Sequence, residues 1–186
     1  MSDKLKILTI CGSLRKGSIN AAIARTLPSL APELSFTEAP SFAGFPIYNT
    51  DLQDAGVPAL VEDWAATIRA ADGVVIVAPE YNWSIPGGLK NAIDWVSKLK
   101  AVPFKDKPVA LQSASAGQVG GARMQYHLRM ALTSIDAQVF GRPEVFVNFA
   151  AKKIDATSGL LIDDPAKDII KQQLTAFAKF IVRVKV

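Results

Sequence analysis

The sequence predicts a doubly wound α/β fold, in which a five-stranded parallel sheet lies between two layers of helices as a three-layer sandwich. Short apolar runs alternate five times with amphipathic segments of helical period, and this alternation is typical of parallel sheets built from βαβ units. The chain has 186 residues, of which 49% are hydrophobic and 20% are charged. That length and composition suit one globular domain spanning residues 1–186.

Apolar runs mark the strands. Four runs have the composition of buried parallel strands, and a weaker run lies between the first two. In chain order the five are Lys6–Cys11, Leu34–Glu38, Gly73–Ala78, Pro108–Ser113 and Glu144–Asn148. Five strands suit the flavodoxin-like order 2-1-3-4-5, whereas the dinucleotide-binding order needs six. We therefore expect the order 2-1-3-4-5.

Helical periodicity marks five helices between and after the strands. Pro86 suits the opening turn of the third helix. Asp163 or Asp164 is a candidate cap for the last helix, with Pro165 in its first turn. The apolar positions of the helices are Ile19, Ile23, Leu27 and Leu30; Leu60, Trp64 and Ile68; Leu89, Ile93 and Val96; Met124, Leu128, Ala131 and Ile135; and Ile170, Leu174, Phe177, Ile181 and Val184.

Charge and cysteine content narrow the class of protein. The net charge is +4, and no run of Lys or Arg is dense enough to suggest a nucleic-acid partner. Cys11 is the only cysteine, which excludes an internal disulfide and suits a reducing compartment. The N-terminus has no signal-peptide pattern, and no apolar run approaches the ~18 residues of a membrane span. We expect a cytoplasmic protein without a membrane partner.

Unusual loops follow three of the predicted strands. In the order 2-1-3-4-5 the topology switches between strands one and three, and ligands bind beyond the carboxyl ends of these strands. The loop after strand one is GSLRKGSIN (12–20), and the loop after strand three is PEYNWSIPGG (79–88). The loop after strand four, SASAGQVGGAR (113–123), is rich in Gly and Ser. We expect these loops to form three walls of one ligand site.

The first loop allows four interpretations: a nucleoside triphosphate site, a dinucleotide site, a flavin phosphate site, or no site. The triphosphate-binding motif requires Lys after its second glycine, where Ser18 follows Gly17. The dinucleotide fingerprint requires glycine at the position of Leu14. Both are therefore disfavoured.

A flavin phosphate suits the loop better. Its dianion requires several donors near the positive end of a helix. Ser13, Ser18 and Asn20 offer side-chain donors, and Arg15 can make a bidentate contact. The alternative without a ligand is an ordinary strand-to-helix turn in which Ser18 only caps the helix.

The second loop suits a flat heterocycle. Pro79 and Pro86 stiffen its two ends, so that backbone donors and acceptors are held in place for a uracil-like edge. Tyr81 or Trp83 can pack near such a ring, and Asn82 and Ser84 can bind it or hold the loop. Ser84 has the alternative role of capping the third helix. We expect the Glu80 carboxylate to be solvated or bound to backbone N–H groups, and not to act as a base.

Three segments together resemble the NADPH-dependent FMN reductase family, and especially its bacterial chromate and quinone reductases. These are GSLRKGSIN, PEYNWSIPGGLKNAIDWVS and GGARMQYHLR (120–129), and the resemblance runs over essentially the whole chain. It implies a flavodoxin-like fold, one bound FMN per subunit, and assembly into homodimers or homotetramers.

The resemblance also implies which residues bind FMN. The first loop would hold its phosphate, the second would cradle its isoalloxazine, and the third would lie beside both. Trp83 departs from the Tyr that close relatives often carry, which puts in doubt a subunit-bridging network with Arg123, Tyr126 and Glu144. The implied set is Ser13, Arg15, Ser18, Ile19, Asn20, Pro79, Glu80, Tyr81, Asn82, Trp83, Ser84, Ser115, Ala116 and Gly117.

The implied activity is a two-step hydride relay from NADPH or NADH through FMN to quinones, chromate, free flavin or azo compounds. Because the cofactor carries this chemistry, we expect no catalytic base and no metal. His127 lies between core positions of the fourth helix and is expected to be structural or at an interface. The alternative is a flavodoxin-type electron carrier, which the positive net charge disfavours since such carriers tend to be strongly acidic.

Overall fold

The computed structural model describes residues 4–184 and contains a sheet of parallel strands with helices on both faces. The strand order β2-β1-β3-β4-β5 confirms the predicted order 2-1-3-4-5. The strands are β1 (Lys6–Cys11), β2 (Ser35–Glu38), β3 (Gly73–Ala78), β4 (Pro108–Ala114), β5 (Gln138–Val139) and β6 (Val145–Val147).

The fifth position of the sheet is an interrupted strand. Both β5 and β6 pair with β4, the first at its start and the second at its end. The predicted strand Glu144–Asn148 corresponds to β6, and β5 was not predicted. Pro143 lies between them and has no backbone N–H to donate to a neighbouring strand. Because β5 and β6 lie one after the other beside β4, the sheet has six strands in five adjacent positions.

The helices are α1 (Ile19–Leu30), α2 (Thr50–Ala55), α3 (Ala59–Ala70), α4 (Gly87–Ser97), α5 (Ala122–Thr133) and α6 (Asp164–Val184), with a 3₁₀ turn at Ala150–Lys153. The five predicted helices correspond to all of these except α2. Helix α2 has no buried residue, so it leaves no apolar periodicity in the sequence. Ile135 lies beyond the end of α5, and Asp163 caps α6 by accepting from the Ala166 N–H at 3.0 Å.

The sheet divides the hydrophobic core in two. Helices α1 and α6 pack on one face, and α3, α4 and α5 pack on the other. Strand β3 is buried along its whole length, as expected for a central strand with both faces covered. No helix within residues 4–184 combines the length and the hydropathy needed to cross a membrane.

Gly12 allows a close approach at the base of the first loop. Its N–H donates to the Val77 carbonyl at 2.9 Å, which extends the pairing of β1 with β3. A Cβ at Gly12 would lie 2.5 Å from the Ala78 Cβ and 3.0 Å from a Leu89 methyl carbon. Only glycine fits there without displacing β3 or α4, so this residue sets the point at which the first two loops diverge.

Candidate functional site

The loops that follow β1, β3 and β4 line one cleft of about 190 Å³. It lies beyond the carboxyl ends of these strands, where the strand order predicts a ligand. Its lining residues are Ser13, Arg15, Ser18, Ile19 and Asn20 from the first loop, Pro79, Glu80 and Tyr81 from the second, and Ala114, Ser115 and Ala116 from the third.

Four of the predicted binding residues lie outside this lining. Asn82, Trp83 and Ser84 continue the second loop beyond Tyr81, and Gly117 lies in the third loop, where its carbonyl accepts from the Ser115 hydroxyl at 3.3 Å. Ala114, at the end of β4, lines the cleft without having been predicted. An alanine in a strand gives no chemical signal by which sequence analysis could find it.

The start of α1 provides an electropositive wall. The Ser18 hydroxyl caps the helix by accepting from the Ala21 N–H at 3.4 Å, as predicted. The N–H groups of Ile19 and Asn20 have no intrahelical acceptor, as at every helix start. No acidic residue lies in the first turn, so the partial positive charge of the helix N-terminus is not neutralised within the helix. These features fit a bound anion.

Arg15 lies over the first loop. It is exposed, and its Nη2 donates to the Gly17 carbonyl at 2.8 Å. Its backbone N–H reaches the Ser13 hydroxyl oxygen at 3.4 Å. The Gly17 contact holds the Arg15 side chain in place. Because a guanidinium has five N–H donors, others are left for a ligand.

Asn20 connects α1 to the third loop. This buried amide donates from Nδ2 to the Ala114 carbonyl at 3.1 Å and accepts at Oδ1 from the Ala114 N–H at 2.9 Å. The two bonds fix the end of β4 against the start of α1. One N–H of the Asn20 amide remains for a ligand.

The second loop is a tight hairpin with a left-handed tip. Tyr81 and Ser84 exchange two backbone hydrogen bonds of 3.1 and 2.9 Å. Asn82 and Trp83 between them have φ values of 48° and 66°, which is the pattern of a type I′ turn. Asn is common at the first of these positions, but Gly is usual at the second. A Trp there is strained by roughly 1–2 kcal/mol, and its side chain is 67% exposed.

The hairpin is held by α5, not by the helix that follows it in the chain. Arg123 Nη1 donates to Glu80 Oε1 at 3.0 Å, and the Met124 N–H donates to Glu80 Oε2 at 3.2 Å. The Arg123 guanidinium lies 4.7 Å from the centre of the Trp83 ring, within the range of a cation–π contact. Arg123 was not among the predicted binding residues, although it lies in the segment GGARMQYHLR that supported the resemblance.

A third tether joins Ser84 to His127. The Ser84 hydroxyl and His127 Nδ1 lie 3.0 Å apart, within hydrogen-bond distance. Ser84 therefore binds α5 and does not cap α4, whose first turn has no side-chain cap. His127 is exposed on α5 and has a structural contact, in keeping with its predicted role.

Glycines shape the third loop. Gly120 and Gly121 have φ values of 64° and 86°, in the region that favours glycine. A Cβ at Gly121 would lie 2.8 Å from the Ser113 Cβ. The Ser113 hydroxyl donates to the Gly120 carbonyl at 2.7 Å and accepts from Gln125 Nε2 at 2.8 Å. These contacts fold the loop closely against the end of β4.

Cys11 lines a neighbouring cavity of about 250 Å³ that shares Ser13 and Arg15 with the cleft. The thiol is half-buried. Burial raises the pKa of the Cys11 thiol, and a hydrogen bond with the Ser13 backbone partly offsets this rise. The thiol is therefore protonated near neutral pH and is a poor nucleophile.

Together the walls of the cleft fit FMN. Hydroxyls, Arg15 and a helix start without acidic residues suit a phosphate monoester. Glu80 is the only carboxylate among the described residues that line the cleft, and its charge is paired with Arg123. The rigid hairpin at the other side of the cleft offers backbone groups to a flat ring.

A sequence model of the NADPH-dependent FMN reductase family matches residues 5–152. The chain belongs to this family. A quinone reductase of Escherichia coli strain K12 is 52% identical over 188 residues, which cover 100% of both chains. An NAD(P)H-dependent FMN reductase of Pseudomonas aeruginosa is 44% identical over 185 residues, again covering 100% of both.

Solved structures agree with this assignment. The flavoenzyme NAD(P)H:(acceptor) oxidoreductase FerB of Paracoccus denitrificans superposes with a TM-score of 0.86 and 31% identity, covering 96% of this chain and 98% of FerB. An archaeal flavodoxin has a TM-score of 0.59 and 9% identity, which indicates a shared fold only. The predicted family, the flavodoxin-like fold and the enzyme class are therefore confirmed. Family membership implies FMN as cofactor and NAD(P)H as electron donor.

Proposed function

We propose that residues 1–186 form a single FMN-binding domain that transfers electrons from NADH or NADPH to quinones. One observation carries the proposal: an anion site at the start of α1 and a rigid hairpin after β3 line the same cleft. A ligand with a phosphate at one end and a flat ring at the other matches that pairing. The quinone reductase of Escherichia coli supports quinones as acceptors, and the FerB oxidoreductase supports NAD(P)H as the donor.

In this proposal each loop has one task. Ser13, Arg15 and Ser18 bind the phosphate, with the free N–H groups of Ile19 and Asn20. The hairpin from Pro79 to Ser84 holds the ring through its backbone. Residues 115–117 of the third loop lie between the two ends of the cofactor.

The protein's own part in the reaction is binding and orientation. FMN, when bound, supplies the hydride transfer between the nicotinamide and the acceptor. The Glu80 carboxylate has both oxygens engaged by Arg123 and the Met124 N–H, so it holds the hairpin and moves no proton. We assign no catalytic base.

Flavin absorbance and steady-state kinetics test this function. We expect the purified protein to carry FMN, or to take it up on reconstitution, and to oxidise NADH or NADPH in the presence of a quinone. Protein that binds no FMN would contradict the proposal. Protein that binds FMN without nicotinamide turnover would instead be a flavodoxin-type electron carrier.

The acceptor range and the choice of donor are finer parts of the proposal. Tyr81 lines the cleft and is exposed, and Trp83 is exposed on the same hairpin, which suits acceptors of varied shape. We propose that chromate, free flavin and azo compounds are accepted beside quinones. A panel of these acceptors under saturating NADH and then NADPH would rank them, and a quinone turnover no faster than that of chromate would contradict the quinone assignment.

We also propose a cytoplasmic homodimer or homotetramer. The lone cysteine suits a reducing compartment. Trp83, Tyr126 and Met130 are large exposed apolar side chains on the hairpin and α5, and a partner subunit would shield them from water. Light scattering of the purified protein measures the assembly, and a monomer at micromolar concentration would contradict it.

A further inference from the structure

We propose that Glu80 is a positioning residue that caps α5 from the neighbouring loop and thereby holds the hairpin in its flavin-binding conformation. The contacts of Glu80 with Arg123 and the Met124 N–H are called the clamp below. The consequence for FMN binding rests on the proposed function, whereas the consequence for α5 does not.

Helix α5 has no cap of its own. Its N-cap residue is Gly121, which has no side chain to cap the first turn, and no acidic residue of the helix lies in that turn. A cap side chain normally accepts from the second or third N–H of a helix. Met124 is the third residue of α5, and its N–H donates to Glu80 Oε2 at 3.2 Å across a sequence separation of 44. Glu80 therefore occupies the place of the missing cap.

The geometry of the third loop explains why the cap comes from elsewhere. Gly121 has a φ of 86°, and a Cβ added to it would lie 2.8 Å from the Ser113 Cβ and 2.9 Å from the Ser113 hydroxyl oxygen. A Ser, Asp or Asn at this position would meet both the backbone strain and the clash. Helix α5 thus cannot carry a side-chain cap at its own start, and a residue from another loop has to supply the acceptor.

The hairpin needs the contact as much as the helix does. Trp83 adopts a left-handed conformation that is unfavourable for its side chain, and such a conformation persists only when surrounding contacts hold it. Apart from the backbone bonds between Tyr81 and Ser84, those contacts end on the first turns of α5. There Glu80 and Trp83 meet Arg123, and Ser84 meets His127. The Glu80 side chain is 11% exposed and that of Arg123 is 44% exposed, so the carboxylate end of the ion pair is shielded from water and the guanidinium end is not.

Two walls of the cleft are therefore coupled. The clamp joins the second loop, which we assign to the ring, to the helix that follows the third loop. If the clamp opens, the hairpin is binding-competent for a smaller fraction of time, and the apparent FMN dissociation constant rises in inverse proportion to that fraction. The first turn of α5 loses its cap in the same event.

Glu80→Gln tests the clamp with little change of shape. A glutamine has one acceptor oxygen and a donor amide, so it can replace only one of the two Glu80 oxygens that accept from Arg123 and from the Met124 N–H. We expect amide hydrogen exchange at residues 122–125 of the apoprotein to accelerate, and FMN to bind about tenfold more weakly, as for loss of one hydrogen bond to a charged group. The matched control is Glu62→Gln, which removes an exposed pair with Arg69 on α3 and should change neither quantity.

Glu80→Asp separates geometry from charge. Its carboxylate keeps the charge but is one methylene too short to reach both donors, so we expect it to resemble Glu80→Gln in both measurements. Unchanged exchange at residues 122–125 in both variants would overturn the proposal, whatever happens to FMN. Weaker FMN binding with unchanged exchange would make Glu80 a direct flavin contact. Wild-type protein without FMN affinity would overturn the proposed function, while the exchange measurement on apoprotein would still test the clamp.

Discussion

The two loops that face each other across the cleft are held in different ways. Gly12 and Asn20 tie the two ends of the first loop to distant residues. Between these ends the loop is stabilised by neighbours in sequence: Ser13, Gly17 and Ala21 supply contacts separated by two or three positions. The hairpin of the second loop depends on α5, at separations of 43 and 44 positions. A substitution between the ends of the first loop should therefore disturb only the contacts of that residue. Loss of a partner on α5 should instead loosen the whole hairpin.

Gly12→Ala should have the largest effect on stability, because Gly12 lies where both loops begin. The added methyl would lie 2.5 Å from the Ala78 Cβ, and forcing it in should destabilise the apoprotein by about 3 kcal/mol. Urea unfolding of the apoprotein measures this. It is the one substitution expected to disturb both loops together.

Gly87→Ala is the matched control. A Cβ at Gly87 meets no atom within 4 Å, and Gly87 is the first residue of α4. We expect stability unchanged or raised by about 0.4–1 kcal/mol, since alanine restricts the unfolded chain more than glycine does. Equal losses for the two variants would show that the close approach at Gly12 is not the cause.

Arg123→Ala should come next, and should act on the hairpin alone. It removes the partner of a Glu80 carboxylate that is 11% exposed, together with the contact to Trp83. Arg123 is itself 44% exposed, so solvent weakens the pair, and we expect a loss of about 1–2 kcal/mol in urea unfolding. FMN affinity should fall with it, because the hairpin is less often competent.

Arg69→Ala provides the comparison for Arg123→Ala. Arg69 pairs with Glu62, and the two side chains are 39% and 49% exposed. An exposed pair of this kind contributes about 0–1 kcal/mol, and no FMN effect is expected from α3. If both arginine variants lost the same stability and neither lost FMN, the hairpin would not depend on α5.

The difference between local contacts in the first loop and long-range contacts of the hairpin also explains which features could be predicted from the sequence. The parallel order and the first loop followed from local signals, namely apolar periodicity, a serine before a helix, and glycines beside a strand. The link from Glu80 to α5 spans 44 positions and leaves no local pattern. The left-handed Trp83 was also missed, because the usual signal for a type I′ turn is glycine at that position.

The weak points of the fold prediction have the same origin. Helix α2 buries no residue, and the break between β5 and β6 depends on pairing with β4 at two separate places. Neither feature alters the apolar periodicity of the chain. Local periodicity therefore identified the elements that fill the core, and long-range contacts determined the remainder.

Ser18→Ala should have a smaller effect, confined to the start of α1. Loss of the cap bond to the Ala21 N–H should cost about 1 kcal/mol of stability, measured by thermal unfolding of the apoprotein. Ser18→Thr keeps a hydroxyl and should recover most of that loss. If Ser18→Ala instead accelerated hydrogen exchange at residues 81–84, the two loops would not be independent.

Arg15→Ala should change the stability of the apoprotein least, by no more than about 0.5 kcal/mol, because the side chain is exposed and its hydrogen-bond partner, the Gly17 carbonyl, lies in the same loop. FMN affinity should nevertheless fall about tenfold, since a charge-assisted bond to phosphate contributes roughly 1.5–3 kcal/mol. Lys16→Ala removes the same charge from the next residue, which is absent from the lining of the cleft, and should leave FMN titrations unchanged. An equal loss of FMN affinity in both variants would show that Arg15 attracts FMN only through its positive charge and makes no specific bond to the phosphate. A loss of FMN affinity in Arg15→Ala alone would show that a residue of the first loop can affect FMN binding without affecting the stability of the apoprotein. The hairpin differs, because the clamp contributes both to stability and to FMN binding.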